Sequence, residues 1–489
     1  MSPVSANARG AAPHASPRRR LGQLGSSAPL LAANLLEALL PFVRNIALAR
    51  LIAPDQFGLA ISLSVVIGMI EVLTDFGLPI FAVRKEGGTD DPSVMATLQS
   101  LSILRGCVLG FILAALSPWI ARSFHAEGAT ATYALLGLVV LVRAWENLGV
   151  KEAMRDGVFW REALVVSAAQ IAAAGVTVAV AAAGGDFSCM VWGMLAAALA
   201  TVGLSHVLSP RPFRLAWNRE AARDASRFGR PLLVNGVAAS LGLADRLLVG
   251  YVLGPRPLAL YNVAYGTGQL PRTVLARFLT SAFLPLFVKR RDRGERGSAL
   301  FDGWAWCLSC LAFVYGLGLS LVGDQVLAAV FGEVYRPSRL FMCLAGLSVC
   351  VKMLMLLPVP AAYAAGNTRL VARGSILSAL SVLPGAALLL WRGDLELFLA
   401  AMTATEFVAL LTFSRRAMRE QAFTASAAWL AISVPMLLLA ALAILTWVVP
   451  GLGFAAWLAA GLAALALSAA LYGLMLAQFE IGLRELLRS

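Results

Sequence analysis

Apolar residues fall along this chain in runs of about 20, separated by short polar breaks, and polar residues do not alternate within the runs. A run of that length matches a helix crossing a hydrocarbon core of roughly 30 Å. Backbone groups in such a core find no water, so they bond internally as helix or closed barrel. Barrel strands alternate polar and apolar residues over about 10 positions, which these runs do not. The pattern predicts fourteen membrane helices, near 28–50, 57–80, 97–121, 130–148, 163–184, 187–209, 229–252, 258–287, 300–322, 338–362, 370–391, 395–414, 426–449 and 452–476. Residues 1–27 and 477–489 read as tails, the first disordered. A cleaved signal peptide is not expected, because the first apolar run is too long and no small-residue cleavage site follows it.

The pattern also repeats. At a constant offset of 201, Asn34, Pro54 and Leu59 align with Asn235, Pro255 and Leu260. At an offset of 206, Leu78-Pro79-Ile80-Phe81 aligns with Leu284-Pro285-Leu286-Phe287, and a basic pair follows each. The fold expected is therefore all-α and polytopic: two parallel six-helix repeats, 28–209 and 229–415, joined by a basic cytoplasmic linker at 210–228. Two further helices, 426–476, follow. Parallel repeats are related by an axis along the membrane normal, and transporters built this way place substrate between the halves.

Composition supports this class. The chain is 59% hydrophobic and 14% charged, with a mean hydropathy of +0.78. Soluble domains carry about 25% charged residues. A net charge of +13 would suit nucleic acid, but the charges sit elsewhere. With the N-terminus in the cytoplasm, 28 of the 40 Lys and Arg fall on the inner side, five on the outer side and seven within spans. That is the bias of cytoplasmic loops. It places both termini inside and removes the need for a nucleic-acid partner.

The charges inside the spans lie on helical stripes, one face at 3.6 residues per turn. Asn34, Glu37, Pro41 and Arg44 share a face of the first helix, and Ser64, Gly68, Glu71 and Asp75 a face of the second. Asn235, Ala239, Gly242 and Arg246 do so in the seventh, and Gln269, Thr273 and Arg277 in the eighth, with Arg272 beside them. A charge at the bilayer centre is costly, so it faces a cavity or a partner. The stripes predict a cationic cavity between the halves, with Arg246 and Arg277 contacting substrate and Arg44, Arg272, Asn34 and Asn235 assisting. Arginine suits diphosphate, because its planar fork donates two hydrogen bonds at once. The competing reading is that these charges pair to hold helices together, Glu37 with Arg44 or Asp245 with a neighbouring Arg. Glu37, Glu406 and Asp245 are the candidates for coupling an ion.

No HExxH, no GxxxxGK[ST] and no nucleophile beside a His occurs, and the three His are scattered. The six Cys lie in or at the ends of apolar runs. No enzyme, metal or cofactor is expected.

Several segments resemble one family. Leu48-Ala49-Arg50-Leu51-Ile52-Ala53-Pro54-Asp55-Gln56-Phe57-Gly58-Leu59 is similar to the opening signature of the polysaccharide-transport proteins. These are the oligosaccharide flippases of the multidrug/oligosaccharidyl-lipid/polysaccharide exporter superfamily. Ala53 departs from the Gly common there. Asp75-Phe76-Gly77-Leu78, Asp245-Arg246-Leu247-Leu248-Val249-Gly250, Leu253-Gly254-Pro255, Gln269-Leu270-Pro271 and Ala365-Gly366-Asn367-Thr368 also resemble the family, so the likeness spans about 28–415. It implies an inner-membrane flippase that moves an undecaprenyl-diphosphate-linked oligosaccharide to the outer leaflet for lipopolysaccharide, capsule or exopolysaccharide synthesis, where a polysaccharide polymerase is the expected partner. The alternatives are a multidrug extruder of the same superfamily, disfavoured by the basic cavity, and a membrane polymerase or glycosyltransferase, disfavoured by short outer loops.

Overall fold

A computed structural model describes residues 17–74, 76–84, 92–155, 158–278, 298–364, 367–421 and 425–449, with isolated positions up to 466. The described residues are all-helical. The first half comprises α1 (Pro17–Leu51), α2 (Pro54–Leu73), α3 (Leu78–Arg84), α4 (Pro92–Ser123), α5 (Thr130–Arg143), α6 (Gly149–Arg155), α7 (Trp160–Ala182) and α8 (Cys189–Leu208). The second begins with α9 (Arg219–Leu241), α10 (Ala244–Leu253), α11 (Pro255–Tyr261) and α12 (Leu270–Phe278), and continues with α13 (Ser298–Phe331) and α14 (Arg339–Leu354). It closes with α15 (Val359–Ala364), α16 (Thr368–Leu380), α17 (Val382–Arg392), α18 (Leu395–Gln421) and α19 (Ala425–Val448). Seven helical stretches among these residues are long and apolar enough to cross a bilayer. The chain is a multi-pass membrane protein.

The remaining predicted spans are short, charged or broken, and local chemistry accounts for the breaks. The predicted seventh helix is α9 and α10, interrupted at Gly242–Leu243. The predicted eighth is α11 and α12 joined through a π-helical turn, Asn262–Gly266, beyond which its last residues lie outside the description. The predicted helix at 452–476 and the closing tail also lie almost wholly outside the described residues. The predicted disordered tail is corrected in part. Residues 17–27 are helical, because α1 starts with Pro17 and extending a formed helix costs little per residue.

The ends of the elements follow from their sequences. Pro54 opens α2 and Pro255 opens α11, each pre-set for a first helical turn. Asn218 caps α9 by accepting from the amides of Glu220 and Ala221, and Asn367 caps α16 by accepting from Leu370.

The segment between α8 and α9, predicted as a linker, is pinned to the first half along its length. Asn147 donates to the carbonyl of Arg211 at 3.2 Å, and Phe213 packs against Trp145 and His206. Gln99 accepts from the amide of Arg214, Ser100 donates to the carbonyl of Ala216, and Thr97 accepts from the amide of Asn218. Each of these bonds satisfies a backbone group that regular structure would otherwise have to satisfy.

The halves meet along α2. At its first turn a Cβ on Gly58 would lie 1.8 Å from the carbonyl oxygen of Pro255, so the two proline-led joints touch backbone to backbone. Phe57 packs edge-on to Tyr335, Phe42 to Phe331, and Arg50 donates to the carbonyls of Ala329 and Val330. At its other end a Cβ on Gly236 would lie 2.4 Å from the carbonyl oxygen of Val72, and Gly229 sits against Phe76. The seam is thus closed at both ends, and one buried apolar cluster runs across it from Leu63 and Leu136 to Tyr261 and Phe398.

Candidate functional site

The break after α9 sets Asp245 in the first turn of α10, where a carboxylate suits the positive end of the helix dipole. Its Oδ1 accepts from the amide of Arg246 at 2.8 Å, and its Oδ2 from the hydroxyl of Tyr261 at 2.8 Å. Tyr261 stacks on Tyr265, with ring centroids 5.0 Å apart. The Tyr265 hydroxyl lies 3.2 Å from Ser348 Oγ. Ser348 and Ser381 each donate to Glu406 at 3.4 Å, and Lys352 Nζ sits 3.0 Å from Glu406 Oε1 and 5.3 Å from the Tyr265 ring centre. Asp245, Ser348, Ser381 and Glu406 are all buried. Arg272 lies within electrostatic range of Lys352 and Glu406. The π turn between α11 and α12 widens the helix where Tyr265 enters this cluster. Such turns are uncommon and are frequent at functional sites.

Other single polar atoms, on the predicted stripes or next to them, are buried with no hydrogen bond. Arg44 Nε, the Asn45 amide oxygen and Ser64 Oγ in the first half have no hydrogen bond among the described residues. Nor have both amide atoms of Gln269 or Arg272 Nε in the second. Such a group costs about 1–3 kcal/mol, more when charged, so each of them calls for an explanation.

In the first half, α2 and α5 join through Glu71 and Arg143 at 2.6 Å. They line a cavity of about 350 Å³ that also receives Arg105 and Glu146. Glu37, exposed on α1, acts on Arg143 rather than pairing with Arg44. Beyond this cavity Lys151 lies between Glu146 and Glu162. Burial pulls its pKa down, but the two carboxylates outweigh burial and hold the ammonium above the ordinary lysine value.

Of the predicted site residues, Arg246, Arg272, Asp245 and Glu406 come together around one cluster, while Arg44 and Glu37 lie on α1. The side chains of Asn34, Asn235 and Arg277 lie outside the described residues. The second reading offered for Asp245, pairing with a neighbouring Arg, takes a different form: its partners are a backbone amide and a tyrosine. Lys352, Tyr261 and Tyr265 had been given no role. Lys352 is one of the seven basic residues counted within spans, but its partner stands 54 positions away on another helix.

The polysaccharide biosynthesis protein family matches residues 47–339. The chain belongs to that family. Two relatives align over similar stretches. One is an uncharacterized membrane protein in the cps region of Klebsiella pneumoniae, 24% identical over 63% of this chain and 64% of that protein. The other is the lipopolysaccharide biosynthesis protein WzxC of Escherichia coli K12, 24% identical over 63% of each. The chain spans just under two thirds of the length of these curated relatives. A shorter stretch, 21% of this chain and 20% of that protein, is 30% identical to the teichuronic acid biosynthesis protein TuaB of Bacillus subtilis 168. The fold of this family member is shared with the lipid II flippase MurJ in an inward closed conformation, at a TM-score of 0.67 and 11% identity over 91% of this chain and 99% of that one. It is shared too with an inward-facing multidrug resistance MATE transporter, at 0.60 and 14% over 79% and 94%. Both are transporters rather than enzymes.

Proposed function

We propose that this family member is a flippase that carries a lipid-diphosphate-linked oligosaccharide from the cytoplasmic to the outer leaflet of the inner membrane by alternating access of two six-helix lobes. Fourteen spans and cytoplasmic termini complete that reading. The observation that carries it is the set of buried, unpartnered donors at Arg44, Gln269 and Arg272. A diphosphate oxygen supplies the acceptors those donors lack, and the planar guanidinium suits it. Arg246 on α10 and Arg277, which shares α12 with Arg272, are the further arginines assigned to this wall. The reading also agrees with the lipopolysaccharide and teichuronic acid synthesis named for two relatives and with the lipid II flippase that shares the fold. The delivered lipid-linked sugar would then meet a polysaccharide polymerase.

The test is export in a strain that depends on this protein. Arg272→Ala, Arg246→Ala and Arg277→Ala are each expected to stop surface glycan at a normal membrane level of protein, with lipid-linked sugar accumulating on the inner leaflet. Normal export by all three would overturn the cationic cavity. Lipid-linked sugar that reaches the outer leaflet unpolymerised would indicate an enzyme instead.

A further inference from the structure

The strap between the halves and the start of α9 carry a surface that the flippase reading does not use. Arg219, Arg223, Arg227 and Arg230 recur at intervals of four, four and three along α9, all exposed, with Arg214 exposed just before them. None of these five forms an ion pair among the described residues. Leu215 and Trp217, between them, are 54% and 58% exposed. Exposed arginines interleaved with Leu and Trp suit the boundary between lipid headgroups and chains.

Directly beyond the strap lies a second cavity of about 300 Å³, between α4 and α9. Its walls are mostly apolar, with Phe76, Leu78, Leu101, Leu104, Val108 and Ala225, and Thr74, Arg105 and Ser226 are the polar residues on its lining. The order along α4 fixes the depth. Thr97 and Ser100 hold the strap, and Leu101, Leu104 and Val108 follow within the next two turns. Leu104 and Val108 are half exposed and lie on the same helix as Phe111, which is 76% exposed, so the cavity opens sideways toward lipid.

We infer that the arginine face of 214–230 and the apolar groove between α4 and α9 together form a binding site for an anionic phospholipid of the adjoining leaflet, its headgroup against the arginines and one acyl chain in the groove. The occupant follows from the two chemistries side by side: arginines along the exposed face of α9, and an apolar slot open to the bilayer at the level of Ala225 and Ser226, between Arg223 and Arg227. A soluble anion would leave the slot empty, and a neutral lipid would leave the arginines without a partner.

Native mass spectrometry of the full chain in detergent, titrated with phosphatidylglycerol or phosphatidylcholine, tests this without reference to flipping. The wild type is expected to retain phosphatidylglycerol about tenfold better. Arg223→Gln/Arg227→Gln/Arg230→Gln is expected to remove the preference, and Ser226→Trp, which fills the groove, to remove the bound lipid with the arginines intact. Leu215→Ala/Trp217→Ala, at exposed positions, is expected to weaken retention several-fold and serves if the groove variant does not fold. No headgroup preference in the wild type, or unchanged retention in the folded variants, would overturn the site. One-for-one displacement by undecaprenyl phosphate would also overturn it, by making the groove a seat for the carrier lipid.

Discussion

At 3.0 Å, with little of either side chain left in solvent, Lys352 and Glu406 hold opposite charges that neither α14 nor α18 could bury alone. Two serine hydroxyls and a tyrosine ring complete the cage. Removing one partner of such a pair costs about 3–5 kcal/mol, because the other charge stays buried and uncompensated, whereas replacing both with apolar groups of similar volume is often neutral. Lys352→Met is therefore expected to lower the thermal midpoint of the purified protein sharply, and Lys352→Met/Glu406→Leu to recover most of the loss. A neutral single variant would show that the pair is not what holds these helices. Its pairing could not be read in the sequence, since spacing along one helix says nothing about a partner on another. Spacing does align Asn34, Glu37, Pro41 and Arg44 on one helix at 3.6 residues per turn, but it says nothing of their surroundings: Glu37 is exposed, whereas Arg44 Nε is buried.

Among the elements, α2 decides how the halves meet. Gly58 at one end and Gly236 opposite its other end bring backbone against backbone, and a side chain at either would overlap a carbonyl oxygen. Gly58→Val and Gly236→Val are thus expected to part opposite ends of the seam. In a background without native cysteines, Gly58→Val should raise thiol labelling of Tyr335→Cys several-fold and leave Phe76→Cys protected. Gly236→Val should do the reverse. Equal labelling of both sites in either variant would mean that the seam opens as one unit. The proline-led joints were legible, because Pro54 and Pro255 recur at one offset and each opens a helix. The strap at 209–218 was not. It is part of the segment whose basic composition reads as a linker, and Asn147, Gln99, Ser100 and Thr97 pin it from distant positions. In the proposed alternating-access cycle, rocking of one half on the other would pivot beyond the strap, at α9 or at the Gly242–Leu243 break.

For the whole molecule, the distribution of charge predicts an orientation, and with it a driving force for the proposed transport. With 28 basic residues on one side of the predicted topology and five on the other, the basic face is expected in the cytoplasm. A periplasm-active reporter should be silent after Ser489 and active after Arg256, and the reverse pattern would overturn the helix assignment. That orientation makes outward passage of a diphosphate electrically downhill in a cell whose interior is negative. Each elementary charge crossing the full potential contributes about 2.3 kcal/mol per 100 mV, less whatever co-moving ions cancel. In the proposed function the cavity arginines would lower the cost of taking the headgroup out of water, and because they stay with the protein they would leave that electrical term in place. A counter-moving ion needs a carboxylate that can exchange with water. Glu406 is held by Lys352 and Asp245 by Tyr261, while Glu37 stands exposed on α1. Flipping in reconstituted vesicles should therefore accelerate when the lumen, standing for the outer side, is made positive. Any added response to a pH gradient should vanish in Glu37→Gln and persist when only the potential is imposed. Rates indifferent to both gradients would leave a passive flippase drawn forward by consumption of its product.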